Sequence, residues 1–233
     1  MMNDGHRFTL QHFMSKGILN AKEVKTIFSQ SKDRFQGQDE EDLRTFILTI
    51  NQSVAPFNLE IKKGIQEDDG QSHYCLVNTV ETPISRLSST YTLNELELFK
   101  KLVEQIVNTE DGKVGSLAAV NLTERLEKKM GKEDAEIFFE KLERDKWIKK
   151  DKNGKISLSV RSLLELEQYL KEVYADYVKS CGICDKICLL GETCSSCGVK
   201  LHLQCAKNLF SRQGDDRKCP SYDCRAPWGE VVL

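Results

Sequence analysis

The sequence has no apolar run of the roughly 18 residues that a membrane-spanning helix needs, so a membrane partner is not expected. Proline is scarce, with four in 233 residues, and there is no low-complexity tract, fixed-period repeat or long block of one charge. These absences exclude a linker-rich disordered chain and a solenoid. The net charge is only −2, from 34 basic and 36 acidic residues. Bulk charge therefore favours neither nucleic acid nor membrane, and any nucleic-acid contact needs a local basic patch. The opening residues MMNDGHRF contain no apolar stretch and no small-residue cleavage site, so no secretory signal is expected. The expected compartment is then the reducing cytosol or nucleus, where disulfides do not persist.

Cysteine is the residue that is present in a pattern. Eight of the nine cysteines lie between Cys181 and Cys224, and only Cys75 lies elsewhere. The order is Cys181-x2-Cys184, nine residues, Cys194-x2-Cys197, four residues, His202-x2-Cys205, thirteen residues, then Cys219-x4-Cys224. Thiolate and imidazole are the ligands zinc prefers, four to an ion in a closed structural site. A two-residue gap lets a tight turn bring two donors to one metal, and four such pairs make two sites. The short segment between the second and third pairs argues for interleaving. Site one is expected from Cys181, Cys184, His202 and Cys205, and site two from Cys194, Cys197, Cys219 and Cys224. The reading is a cofactor of two structural zinc ions. A segment of about 50 residues cannot bury enough core to fold alone, so metal binding has to supply the missing folding energy. Cys188 falls in the apolar stretch ICLLG and reads as a core thiol, as does Cys75 in a strand.

Before this segment the periodicity predicts two runs of helices, each closed by a hairpin. Residues 6–17 place Phe8, Leu10, Phe13 and Met14 on one side of a helix that stops at Gly17. Asn20 caps a second helix to about Ser31, with Val24, Ile27 and Phe28 inward. Residues 39–54 form a third, with Leu43, Phe46, Ile47 and Ile50 at helical spacing. LEIKKGI then alternates, DDG turns, and HYCLVN returns. Residues 79–91 read as a polar connector. Thr92 with Glu95 makes a capping box for a helix to Val107, and Leu96, Phe99, Leu102, Val103 and Ile106 form its apolar stripe. Helices follow over Ser116 to Lys129 and Lys132 to Asp145. A hairpin turns at Asn153-Gly154, and a last helix runs from about Ser159 to Tyr174. The expected fold class is mainly α with small β-hairpins. Two tandem winged-helix domains, at residues 1–80 and 92–175, precede a cross-braced zinc domain at residues 181–228.

The ligand order, four cysteines, one histidine and three cysteines, resembles the RING variant class and also the PHD finger. The four-residue gap before His202 is PHD-like, but PHD fingers carry a tryptophan where this chain has Arg217. Three positions look RING-like: Ile183 between the first two cysteines, Pro220 after the seventh ligand and Arg225 after the eighth. The resemblance implies that these contact a ubiquitin-conjugating enzyme, and in the case of Arg225 ubiquitin as well. Packing or plain surface is the simpler account of each. The chain departs from RING domains in the last pair, where CPSYDC leaves four residues instead of two.

Two winged-helix patterns followed directly by this zinc pattern resemble the RING-type non-SMC subunit of the Smc five–six chromosome complex. The segments IKKGIQEDDGQSHYCLVN, TLNELELFKKLVEQI, FFEKLERDKWI and LLELEQYLKEVYADYVKSCGIC carry the resemblance over nearly the full length. It implies a MAGE-domain partner, a kleisin subunit, a role in DNA repair by recombination and chromosome maintenance, and a nuclear, chromosome-associated location. It also implies a ubiquitin ligase stimulated by the MAGE partner. A RING ligase acts by positioning the charged conjugating enzyme, so no residue is expected to be catalytic in its own right. Two other functions fit parts of the sequence. The zinc domain could be a non-catalytic scaffold, or, as a PHD-like domain, a histone-tail reader, although no aromatic cage is evident. Trp228, beyond the last ligand, then anchors the domain to the helices. The winged helices could contact DNA through Lys146, Lys149, Lys150, Lys152 and Lys155, since lysines on a wing can meet phosphates. The preceding helix KEDAEIFFEKLERD carries excess acid, which suits a groove reader poorly.

Overall fold

A computed structural model describes residues 2–35, 41–79, 90–214 and 216–229. The chain divides into two compact units, Met1–Gln66 with Gln71–Pro83, and Glu67–Gly70 with Ile84–Leu233. No helix among the described residues is long and apolar enough to cross a membrane.

The first unit runs α1 (Asp4–Lys16), β1 (Ile18–Asn20), α2 (Ala21–Arg34), α3 (Leu43–Val54), β2 (Leu59–Ile65) and β3 (Ser72–Asn78). The strands form one antiparallel sheet in the order β1-β3-β2, which with three helices is the order of the winged-helix pattern. Its short first strand is absent from the sequence reading. Ile18–Asn20 is too brief to show alternation, yet it pairs with His73–Cys75 of β3. Asn20 closes that strand and caps α2, accepting from the N–H of Lys22 and Glu23, while Glu23 reaches back to the N–H of Asn20. Asn51 ties α3 to β2. Its amide nitrogen donates to Ile61 O at 3.0 Å and its oxygen accepts from Ile61 N–H at 2.8 Å. Phe13, Leu19, Val24, Phe46, Ile50 and Ile61 fill the core, each large side chain contributing about 1.5–3 kcal/mol on full burial.

Two expectations are corrected here. Met14 faces solvent, because the inward face of α1 is His6, Thr9 and Phe13; His6 stacks on Phe46 at 4.1 Å and fills a place the pattern reserved for an apolar side chain. Burial pushes the His6 imidazole below its usual value against the opposing pull of Glu41. The third helix starts at Leu43, where Asp42 accepts from Thr45 N–H and sets the cap; residues 39 and 40 lie outside the described residues. So do residues 80–89, most of the expected connector.

The second unit runs α4 (Leu93–Val107), β4 (Val114–Gly115), α5 (Ser116–Val120), a 3-10 turn (Asn121–Arg125), α6 (Lys132–Arg144), β5 (Ile148–Lys150), β6 (Lys155–Leu158), α7 (Val160–Glu165) and α8 (Glu167–Val173). Its sheet has the order β4-β6-β5. The Thr92–Glu95 capping box forms as expected. The helix expected over 116–129 is helical only to Val120. Ala119, Val120, Leu122 and Thr123 are all buried, which a tighter 3-10 turn can achieve, and Thr123 Oγ donates to Val120 O at 2.9 Å. The last helix breaks at Leu166, whose backbone leaves helical geometry while Leu163, Leu166 and Leu170 all stay buried. Tyr91, at the end of the expected polar connector, is also buried, and its hydroxyl donates to Asp145 at 2.7 Å.

The same unit continues into β7 (Gly191–Thr193), β8 (Lys200–His202) and α9 (Leu203–Gln213). Ile187 and Leu189 belong to the same apolar cluster as Phe99, Trp147 and Leu158. Gly112, with φ +61, sits so close to this segment that a Cβ would lie 2.8 Å from Leu189 O. A smaller cluster of Cys181, Cys188, Leu201, Ala206 and Phe210 lies within the cysteine-rich region.

Candidate metal centre

The structure gathers the eight expected ligands into two groups. Cys181, Cys184, His202 and Cys205 form one, and Cys194, Cys197, Cys219 and Cys224 the other; within each, the donor atoms lie within 4.8 Å of one another. Tight turns bring the first two pairs in. Asp185 N–H donates to Cys181 O at 2.9 Å, and Gly198 N–H to Cys194 O at 2.9 Å. The β7–β8 hairpin, with Gly191 opposite His202, then carries the chain from the second group back to the first. A Cβ at Gly191 would collide with the backbone of Leu201, so only glycine admits this close pairing. His202 ends β8 and Cys205 opens α9, which sets both toward the first group.

The donor distances test the metal. Tetrahedral zinc with sulfur at about 2.3 Å puts neighbouring sulfurs about 3.8 Å apart. Cys194 and Cys224 are 3.8 Å apart and Cys197 and Cys219 3.6 Å. Both lie far beyond a disulfide bond of about 2.05 Å. His202 Nδ1 lies 3.3 Å from Cys184 Sγ and 3.9 Å from Cys205 Sγ. The residues present fit a closed four-coordinate site in each group.

Each group contains a thiol prepared for ionisation. Burial works against it at Cys181, but the N–H groups of His202, Cys184 and Ile183 hold the thiol down to about 7. At Cys194 the N–H of Cys197 leads, and that thiol also falls to about 7. The remaining sulfurs resist a second charge. Burial and the neighbouring Cys181 and Cys184 push Cys205 up to about 11, and burial with the sulfurs around it pushes Cys219 up to about 12. A divalent cation relieves that crowding, and binding it releases protons.

Cys188 and Cys75 are buried, and burial pushes the Cys188 thiol up. Ile183 is 44% exposed, Pro220 is half-buried, and Arg225 is exposed with φ 49. Within the four-residue gap, Tyr222 is 84% exposed, and the Arg225 guanidinium lies 6.0 Å from its ring centre. Sequence reasoning passed over Tyr222. Trp228 packs on Phe210 at 5.3 Å, and its indole N–H donates to Glu192 at 3.1 Å. Those partners lie in the cysteine-rich region itself.

Two of the five wing lysines are matched by acid. Lys149 pairs with Asp68 at 2.7 Å and Asp69 at 3.0 Å, and Lys155 with Asp111 at 3.0 Å. The backbone N–H of Lys150 donates to Glu143 at 3.2 Å. Lys152 is exposed, and Lys146 holds a left-handed backbone, φ 64, at the entry to β5.

Paired donors interleaved around two candidate metal centres, on a helical unit with a three-stranded sheet, define a RING-like protein with winged-helix-patterned units. Comparison with known proteins is specific. Residues 6–166 match the family model described as the Nse1 non-SMC component of the SMC5-6 complex, and residues 181–222 match a RING-like domain, ending inside the gap before Cys224. The non-structural maintenance of chromosomes element 1 homolog of Homo sapiens is 37% identical over 100% of this chain and 86% of its own length. The corresponding protein of Schizosaccharomyces pombe is 25% identical over 100% and 95%. A chain of a solved structure titled Nse1-Nse3-Nse4 complex has a TM-score of 0.88 at 33% identity, covering 100% of this chain and 99% of that one. The chain belongs to the Nse1 family of SMC5-6 complex components.

Proposed function

We propose that this protein is a ubiquitin ligase subunit of an SMC5-6 complex, acting in DNA repair by recombination and in chromosome maintenance in the nucleus. Its two metal groups hold structural zinc, one ion each. All four positions in each group are filled by protein side chains, which leaves no open position for hydrolytic chemistry. The winged-helix units bind a MAGE-domain subunit and, through it, a kleisin subunit. That reading is supported by the likeness to a chain in a solved Nse1-Nse3-Nse4 complex.

The observation that carries the ligase reading is the RING-like centre with Ile183 presented to solvent between its first two ligands. An exposed isoleucine on a metal-braced turn offers a rigid apolar contact to a ubiquitin-conjugating enzyme. The centre's contribution to transfer is orientation of the bound thioester. Pro220 and Arg225 flank the last ligand pair and extend that surface. One observation favours a second reading, a zinc-dependent scaffold without ligase activity. The gap that ends at Cys224 exposes Tyr222 two residues after Pro220, within four residues where RING domains have two. The ion pairs around Lys149 and Lys155 leave DNA contact by the wing the weaker proposal.

The test is discharge of ubiquitin from charged conjugating enzymes by the zinc-loaded protein, with and without a MAGE-domain partner. Discharge is expected to rise with the partner and to fall several-fold in Ile183→Ala and Arg225→Ala at unchanged zinc content. A broad enzyme panel with no discharge, alongside tight partner binding, would replace the ligase with the scaffold.

A further inference from the structure

Glu67 is one of the buried charged side chains of the second unit, 4% exposed. A buried carboxylate is costly unless every oxygen has a partner. This one is fully engaged. Its Oε1 accepts from Leu189 N–H at 2.8 Å, and its Oε2 from Leu190 N–H at 3.2 Å. Oε1 also lies 3.2 Å from His202 Nε2. The segment it grips is held from the other side by Lys200, whose ammonium donates to Leu189 O at 2.7 Å and Glu110 O at 3.1 Å.

His202 shows what this arrangement does. Its Nδ1 faces Cys184 and Cys205. A neutral imidazole carries one N–H, so a lone pair at Nδ1 requires the proton at Nε2. That N–H bonds to Ile187 O at 2.8 Å, and the Glu67 carboxylate lies 3.2 Å from the same nitrogen. A carboxylate on the far nitrogen of a metal-bound histidine fixes its tautomer and ring orientation and makes it a stronger donor. Glu67, Cys188 and His202 also lie close enough to suggest a third metal group. Against that, both Glu67 oxygens already accept backbone N–H groups, and Cys188 Sγ is 3.5 Å from Leu190 O.

We infer that Glu67 is a positioning residue of the first metal site, orienting His202 from a turn far earlier in the chain. The inference rests on reading the two groups as metal sites. It assigns the Glu67 carboxylate to site one alone, since its recorded partners are residues 189, 190 and 202.

The test uses the full chain loaded with two equivalents of zinc, or of cobalt(II) as a spectroscopic substitute. Glu67→Gln keeps the side-chain shape and removes the charge. Chelator competition should show metal affinity at one of two sites lowered about 10- to 100-fold, the range for losing such an outer partner of a ligand, with the other site unchanged. In the cobalt form, the ligand-field bands of the three-thiolate, one-imidazole site should move while those of the four-thiolate site stay. Asp69→Asn in the same turn loses an ion pair with Lys149 and should leave both sites as in wild type. The inference is overturned if Glu67→Gln holds both metals like wild type, or loosens both sites alike. It is equally overturned if Asp69→Asn reproduces its effect, because the turn then acts as a whole. Wild type that takes up no metal would overturn the metal reading itself, a result distinct from each of these.

Discussion

The two metal sites share a coordination pattern but differ in how the protein surrounds them. Site one is embedded. Cys181 is buried, His202 is braced by Glu67 and Ile187 O, and Ile187 and Leu189 enter the large apolar cluster of the second unit. Site two is peripheral at one edge, although Cys194 and Cys219 are buried like Cys181. Cys197 is exposed and Cys224 half-exposed, and the backbone around them closes on itself through Cys219 N–H to Ala226 O at 2.9 Å and Trp228 N–H to Arg217 O at 2.8 Å. The same chemistry therefore has two consequences. Metal bound at site one would organise residues that also complete the helical core, whereas metal bound at site two would organise its own loops.

The sharpest way to break this contrast is to delete one ligand from each site. Cys181→Ser should raise amide hydrogen exchange throughout β5, β6 and α4, because it releases the segment that carries Ile187 and Leu189. Cys197→Ser should raise exchange only within residues 191–229. Equal patterns from the two variants would show that the sites are mechanically equivalent.

A smaller effect is expected from the packing itself. Leu189→Ala removes a buried side chain that belongs to the helical cluster and should cost about 2–5 kcal/mol in urea unfolding. It should weaken metal retention at site one as well, since Leu189 N–H is held by Glu67. Unchanged retention would separate packing from coordination.

Kinetics should sharpen the same contrast. A chromogenic chelator added to zinc-loaded protein should draw metal out in two phases. Site two should empty first, because its Cys197 thiolate is reachable without opening the core. The order can be assigned from the cobalt bands, and the reverse order would sink the embedded-versus-peripheral distinction.

The least site-specific effect is that of pH. Cys181 and Cys194 both fall from 9.0 to about 7. Above that value the leading thiolate exists before metal arrives, and below it one more proton must leave. Affinity should fall with falling pH at both sites, and more steeply below about pH 7, by about one further proton per site. A dependence that stays constant through pH 7 at either site would show that its leading thiol is not held down.

Much of this was legible in the chain. Capping residues announce themselves locally, so Asn20 and Thr92 marked helix starts that the structure keeps. Each departure has its own cause in the packing. Met14 and His6 exchanged roles because a stacked imidazole can serve as a core face. The helices over 116–129 and 159–174 were cut short or broken because burying closely spaced side chains needs a turn tighter than 3.6 residues, or a bend at Leu166. The strands β1 and β4 are too short to show a period and exist because longer strands offer them partners.

The sequence by itself determined the eight donors and their interleaving into two groups, since metal donors are few in kind and a tight turn dictates their spacing. The structure alone decided how the two sites are supported. Glu67 stands in QEDDG, where an acidic residue reads as turn polarity. Its meeting with His202 depends on the path of the chain between them, and hydrogen bonds between distant residues leave no period or spacing in a sequence.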